Sequence, residues 1–156
     1  MKIKISLLAL LFISFISCND DINSVDYVSL NDQEIQDYLE ENDLEAEKSN
    51  SGLYYIIEEE GTGEQPTATD DVRIAYKGYF TDGEIFDQSD AGGVTFNLQE
   101  VVRGWTEGIT YFKEGGSGML LVPSHLAYGP NNYRGIPGGS VLIFEIELLE
   151  VVDATN

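Results

Sequence analysis

The sequence predicts an α+β domain: an antiparallel β-sheet packed on one short central α-helix, with an acidic helix ahead of it. Three observations carry this. Residues 72–80 and 142–148 alternate side chains with the period of two that marks a strand with one buried face. Asp82-Gly83 closes the first of these runs as a tight hairpin signal, which makes the next strand antiparallel. Only residues 103–111 carry a helical stripe between the strands, through Val102, Trp105 and Ile109, so the strand–helix–strand alternation of a parallel sheet is missing.

The chain begins Met1-Lys2-Ile3-Lys4 and continues as an apolar run from Ile5 to Ile16. That is the charged n-region and short h-region of a secretory signal, too short to span a bilayer comfortably. Its single cysteine, Cys18, follows directly in Phe15-Ile16-Ser17-Cys18. The tetrad resembles a bacterial lipobox, with Phe15 where Leu is more usual; the competing reading is a free thiol. With no second cysteine, a disulfide within the chain is excluded. Asn19-Asp20-Asp21 is similar to the acidic tags that follow the lipidated cysteine in Bacteroidetes lipoproteins. The expectation is a signal peptide at 1–17 and a lipid anchor at Cys18. The protein is then exported and held at the cell envelope, at the outer membrane, facing the periplasm or the surface.

Residues 18–30 are polar and aperiodic and read as a tether. Asn31 looks like an N-cap with Glu34 at the capping-box position, and Ile35, Tyr38 and Leu39 share one face, so an acidic helix is expected within 31–50, ending near Glu47. It packs on the domain or serves a partner. The compact domain follows at 51–156. Residues 53–58 read as a strand, and Gly61-Thr62-Gly63 with Pro66 as a loop. This Gly-x-Gly lacks a third glycine, a following helix and a P-loop lysine, which argues against nucleotide binding. In 72–80, Val72, Ile74, Tyr76 and Phe80 fall on the inner face, opposite Arg73, Lys77 and Tyr79. Phe86-Asp87 sits at the end of the strand after the hairpin. Gly104 and Gly108 share a helix face and let the central helix lie close to the sheet. Residues 119–122 form a strand stopped by Pro123, and Leu142, Phe144, Ile146 and Leu148 form the clearest strand of all, with Glu145 and Glu147 outside.

Composition narrows the function. The chain of 156 residues carries 8 basic and 28 acidic residues; losing Lys2 and Lys4 with the signal leaves 8 − 2 = 6 basic, a net charge of 6 − 28 = −22. Such a charge repels nucleic acid and anionic lipid headgroups, so membrane attachment falls to an acyl chain. One histidine, His125, beside Ser124, is badly placed to serve that serine as base, and no Cys–His pair exists for nucleophilic catalysis or a transition metal. No EF-hand spacing organises the acids. No metal and no cofactor is expected.

What remains is an unusual set of aromatics: Tyr76, Phe86, Phe96, Trp105, Tyr128 and Phe144, accompanied by Asp87 and by Val101-Val102-Arg103-Gly104-Trp105. With Tyr76-Lys77-Gly78, Asp82-Gly83, Phe86-Asp87-Gln88-Ser89, Leu126-Ala127-Tyr128-Gly129 and Ile136-Pro137 running into 142–149, the stretch from Ser51 to Val152 resembles the FKBP-type peptidyl-prolyl isomerases. The resemblance implies a sheet half-wrapped around the helix with an apolar cleft between them. It makes Trp105 the floor, Tyr76, Phe86, Phe96 and Phe144 the walls, and Val101 and Ile136 the rim. The Val102 N–H would hold a substrate carbonyl, the Tyr128 hydroxyl would donate to substrate backbone, and Asp87 would orient polar groups. Proline-containing polypeptides, and macrolides as inhibitors, are the implied ligands. A binding module without turnover is the alternative, with the acidic helix as its partner surface.

These residues suit such chemistry without any family name. Rotation about an X–Pro bond must break amide resonance, a barrier of about 18–20 kcal/mol, and no bond is made or cut. Shape, desolvation and a few hydrogen bonds suffice, and no nucleophile is needed. Phe96 and Phe144 are also what a core would want at those positions. Asp87 also suits a turn, bonding the backbone near Gln88 and Ser89. Two departures from the family pattern lie at Pro130-Asn131-Asn132-Tyr133-Arg134 and at Gly138-Gly139, where a second proline is common; they bear on the residue preceding proline, and the glycines predict a mobile rim.

Overall fold

The computed structural model of the chain describes residues 25–152. The signal at 1–17, Cys18 and the first part of the expected tether therefore lie outside the described residues. Helix α1 (Tyr27–Glu41) leads into β1 (Glu47–Lys48) and β2 (Tyr54–Glu59), then β3 (Asp71–Tyr79), β4 (Ile85–Gln88) and β5 (Val94–Asn97). Helix α2 (Arg103–Gly108) continues into a 3₁₀ turn (Ile109–Tyr111). After β6 (Ser117–Val122) and a second 3₁₀ turn (Ser124–Leu126) comes β7 (Leu142–Val152).

All the strand pairs are antiparallel, in the order β1-β2-β6-β7-β3-β4. The far edge of β3 is shared: its first half pairs with β5, from Asp71 to Ile74, and its second half with β4, from Lys77 to Tyr79. The hairpin between β3 and β4 turns at Asp82-Gly83, with Gly83 at φ +87° and the Asp82 carboxylate accepting from the Glu84 N–H at 2.9 Å. Only glycine adopts that φ without strain, which is why the signal was legible.

Two cores form because alternate residues of the same strands face opposite ways. Leu120, Val122, Leu142, Phe144, Ile146 and Leu148 face α2 together with Trp105 and Ile109. Met119, Leu121, Ile143 and Tyr79 face the other way and are covered by Ile35 and Leu39 of α1. Tyr79, expected on the polar face of its strand, is thus only 9% exposed. Arg73 and Lys77 on that face lie beyond the cover of α1 and pair with Glu150 and Glu145 at 2.9 and 2.7 Å.

The boundaries of α1 correct the expected ones. The helix is capped by Asp26, whose carboxylate accepts from the N–H groups of Val28 and Ser29, and it begins inside the stretch read as a tether. Asn31 lies within the helix, 1% exposed, and Glu34 accepts from the Thr81 hydroxyl instead of closing a capping box. The helix stops at Glu41 because Asn42 folds back on Tyr38 and Asp43 takes a left-handed conformation at φ +54°; Glu47 belongs to β1.

Helix α2 sits against β6 through its glycines. A Cβ on Gly104 would stand 2.4 Å from Val122 Cγ1, and one on Gly108 would stand 2.7 Å from a Leu120 methyl. Gly104→Ala is therefore expected to lower the unfolding free energy by about 1–3 kcal/mol through overpacking, although alanine favours a helix by about 1 kcal/mol over glycine. Urea titration of Gly104→Ala, Val122→Ala and the double variant checks this. The double variant should lose less than the sum of the single losses, whereas strict additivity would mean that α2 is not seated on Val122.

Candidate functional site

The seating of α2 places Trp105 at the bottom of a cavity of about 520 Å³. Three rings meet the indole edge-on: Tyr76 at 5.2 Å, Phe96 at 5.3 Å and Phe144 at 5.2 Å between centroids, with interplanar angles of 77–86°. Edge-to-face geometry suits the aromatic quadrupole and contributes about 0.5–1.5 kcal/mol per pair beyond burial. Tyr76 comes from the inner face of β3, Phe96 from β5 and Phe144 from β7, so strands on both sides of β3 hold the tryptophan. Phe86 extends the wall, edge-on to Phe144 at 5.6 Å and against Phe80 at 5.1 Å. Gly78 makes room for it, since a Cβ there would stand 2.7 Å from Phe86 Cζ and 3.0 Å from Phe144 Cε1.

The polar groups sit at the mouth. Asp87 Oδ2 accepts from the Tyr76 hydroxyl at 2.7 Å, and Oδ1 accepts from the Gln88 N–H at 2.9 Å. One oxygen of Asp87 thus holds the Tyr76 phenol and the other the local turn. Val101 and Val102 line the same cavity. The Val102 carbonyl accepts from Trp105 and Thr106 as α2 begins, while its own N–H donates to nothing among the described residues. The buried indole N–H of Trp105 likewise has no acceptor there.

Tyr128 is 39% exposed and stacks on Tyr133, ring centroids 4.6 Å apart and 13° from parallel; the Arg134 guanidinium lies 5.4 Å from the Tyr133 ring. Ile136 is the exception among the expected lining residues. It lines an adjoining recess of about 440 Å³ that shares Phe86, Asp87, Tyr128 and Tyr133 with the main cavity. Sequence reasoning missed Tyr133, Glu100, Arg103 and Ala127, which also line the main cavity. The signal for Tyr133 was present in the unusual segment 130–134, but what it stacks on depends on how the loop returns. It returns through a bridge between Tyr133 and Ile136. Gly138 and Gly139, expected to loosen the rim, stand where a side chain would meet close neighbours. A Cβ on Gly138 would meet the Pro130 carbonyl oxygen at 2.1 Å, and one on Gly139 the Tyr27 ring at 1.9 Å.

His125 Nε2 lies 2.9 Å from the Ser51 carbonyl oxygen, and Arg103 donates to the His125 carbonyl, so the imidazole is engaged away from Ser124. Among the described residues the cavity lining contains no serine, cysteine or histidine. Two of its phenols, Tyr76 and Tyr128, are pushed upward. Burial, then the hydrogen bond to Asp87, holds the Tyr76 hydroxyl far above its ordinary value, and burial followed by the neighbouring Tyr133 and Asp87 raises Tyr128.

On the other side of the sheet, burial and then the hydrogen bond with Tyr38 raise Tyr79. Near the end of α2, burial and then the bond to Glu107 push Tyr111 up to about 12. A phenol whose folded value is raised contributes stability that is intact below its unfolded value of 10.0 and is lost as pH climbs through the folded value. Alkaline absorbance titration should accordingly resolve two sets among the nine tyrosines. The set containing Tyr76 and Tyr79 ionises last, as the protein unfolds. A single transition of all nine in the folded protein would contradict the buried hydrogen-bonded phenols.

The sequence profile of the FKBP-type peptidyl-prolyl cis-trans isomerases matches residues 62–149. Among curated relatives, the isomerase FkpA of Escherichia coli (strain K12) is 44% identical over 108 residues, covering 68% of this chain and 40% of the relative. FkpA of Buchnera aphidicola subsp. Acyrthosiphon pisum is also 44% identical over 108 residues, covering 68% and 45%. The matched region thus spans less than half the length of either relative. Among solved structures, Escherichia coli FkpA superposes with a TM-score of 0.71 at 39% identity, covering 80% of this chain and 60% of that one. A peptidyl-prolyl cis-trans isomerase from Pseudomonas syringae pv. tomato gives 0.69 at 29% identity, covering 81% and 96%. With the fold, the aromatic cavity and the profile in agreement, this chain belongs to the FKBP-type peptidyl-prolyl cis-trans isomerase family.

Proposed function

We propose that the protein catalyses cis–trans rotation of X–Pro bonds in exported polypeptides, by desolvation and hydrogen bonding and without a covalent intermediate. The observation that carries this reading is the Trp105 floor with rings edge-on around it, beneath a mouth holding the Tyr128 hydroxyl and a Val102 N–H without an acceptor among the described residues. The proline ring enters the aromatic cavity and the amide leaves water. The planar ground state, being the more polar, is disfavoured there relative to the twisted transition state. The Val102 N–H receives a substrate carbonyl and Tyr128 donates to the backbone, so the end that turns is held while the ring stays gripped. Asp87 acts through Tyr76, fixing the phenol against the cavity wall.

The uncatalysed step takes tens to hundreds of seconds, slow enough to limit folding. A lipid anchor at Cys18 would keep the activity where exported chains emerge; the lipobox-like Ser17-Cys18 and the preceding apolar run support envelope placement. Macrolides would compete for the same cavity.

Protease-coupled or NMR-exchange assays of proline tetrapeptides test the proposal. The protein should accelerate the exchange. Phe86→Ala and Asp87→Ala should each lower kcat/KM about 10- to 100-fold, corresponding to about 1.4–2.8 kcal/mol. His125→Asn, whose ring faces Ser51, should stay close to wild type. A folded wild-type protein with no activity would sink the enzyme reading, and full activity in Asp87→Ala would remove Asp87 from the mechanism. For the anchor, Cys18→Ala should abolish acyl-chain labelling in a lipoprotein-competent bacterial host; persistent labelling would place the lipid elsewhere.

A further inference from the structure

Helix α1 contributes one buried polar side chain, Asn31, and asparagine inside a helix is unfavourable unless its side chain has work outside it. Asn31 Oδ1 accepts from the Ser124 N–H at 2.9 Å, and its Nδ2 donates to the Gly139 carbonyl at 2.8 Å. These partners stand at the two ends of the loop that carries Tyr128 and Tyr133. The Ser124 carbonyl accepts from the Gly129 N–H at 2.8 Å, and the Gly129 carbonyl accepts from the Gly139 N–H at 2.9 Å. Asn31, Ser124, Gly129 and Gly139 therefore form a closed circuit in which each residue donates once and accepts once.

Such a ring is cooperative in a low-dielectric site, and removing the Asn31 side chain leaves the Ser124 N–H and the Gly139 carbonyl, both on buried residues, unpaired. Asn31 is its only member from outside the domain core, and its two bonds span 93 and 108 positions of sequence. Tyr27, one turn earlier on α1, lies against Gly139, where only a glycine leaves room for the ring and tolerates φ +79°. The residue immediately before Gly129 is Tyr128.

We propose that α1 is a brace for the catalytic rim and that Asn31 is a positioning residue: it closes the ring that fixes the loop base and so the direction of Tyr128 and its stacked partner Tyr133. The inference rests on the isomerase reading for its kinetic consequence, and on the hydrogen-bond circuit alone for its structural one. The helix then does more than cover the outer face of the sheet. It sets how tightly the rim closes over the residue preceding proline.

The test compares Asn31→Ala and Tyr27→Ala with Ile35→Val, which thins the α1 packing without touching the circuit. Each is studied in the full chain at a temperature where circular dichroism shows it folded. In Asn31→Ala, amide hydrogen exchange at Gly129 and Gly139 should accelerate by about tenfold or more while Leu120 in β6 is unchanged. Catalysis should fall about five- to tenfold in kcat/KM, unevenly across tetrapeptides with Ala, Leu, Phe or Glu before proline. Tyr27→Ala should shift both readouts in the same direction by less, and it decides the matter if Asn31→Ala does not fold. Ile35→Val should lower the melting temperature with wild-type selectivity.

Wild-type exchange at Gly129 and Gly139 in the folded circuit variants would overturn the brace. Loosened amides with unchanged kcat/KM and unchanged selectivity would overturn the positioning role. If the wild-type protein itself fails to isomerise peptides, the function proposed above fails, while the exchange data still decide whether Asn31 closes the ring.

Discussion

Everything at the site depends on how deeply α2 is seated. The indole of Trp105 can meet three rings from three different strands only because Gly104 and Gly108 let the helix backbone approach Val122 and Leu120. A bulkier residue at either position would lift the helix and separate the floor from its walls. Gly78 does for the Phe86 wall what these glycines do for the floor. The cavity is thus made by missing side chains as much as by the aromatic ones, and its shape is held by a core packed to solid-like density around it.

The sheet supports two functions from one set of strands. Its inner residues close the core with α2 and surround Trp105; its outer residues, from Tyr54 to Ile143, receive α1. Because successive residues of β6 and β7 serve the two faces alternately, a shift of register would exchange cavity wall for helix seat. The close pairing of β3 with β7 over nine residue positions, from Asp71 to Tyr79, guards against this and delivers Tyr76 and Phe144 to the same side.

How much was legible in the sequence follows from the range of the interactions involved. Tyr76, Phe86, Asp87, Trp105 and Phe144 were readable because each is set by local period, by a hairpin or by a helical stripe, and by motifs that resemble a family. Phe96 was reached through the resemblance alone, and its strand β5 was not read. The start of α1 was not. Asp26 caps it from within a stretch that is polar and aperiodic, and Asn31 imitates an N-cap when only its neighbours are considered. Its true partners, Ser124 and Gly139, become visible only when the chain has folded. Tyr133 and the glycines at 138–139 were hidden for the same reason: a stacking partner and a backbone approach are facts about the loop's return path.

The central claim is that a proline ring is gripped on the Trp105 floor while its amide turns. The protein has one tryptophan, so emission excited at the red edge, where tyrosine does not absorb, reports on that floor alone. Titration with a tetrapeptide containing X–Pro should change the emission saturably, at concentrations matching the KM for isomerisation, while the peptide with alanine in place of proline should leave it unaltered. Emission that stays constant while the same peptide is being isomerised would place the reaction elsewhere and contradict the account.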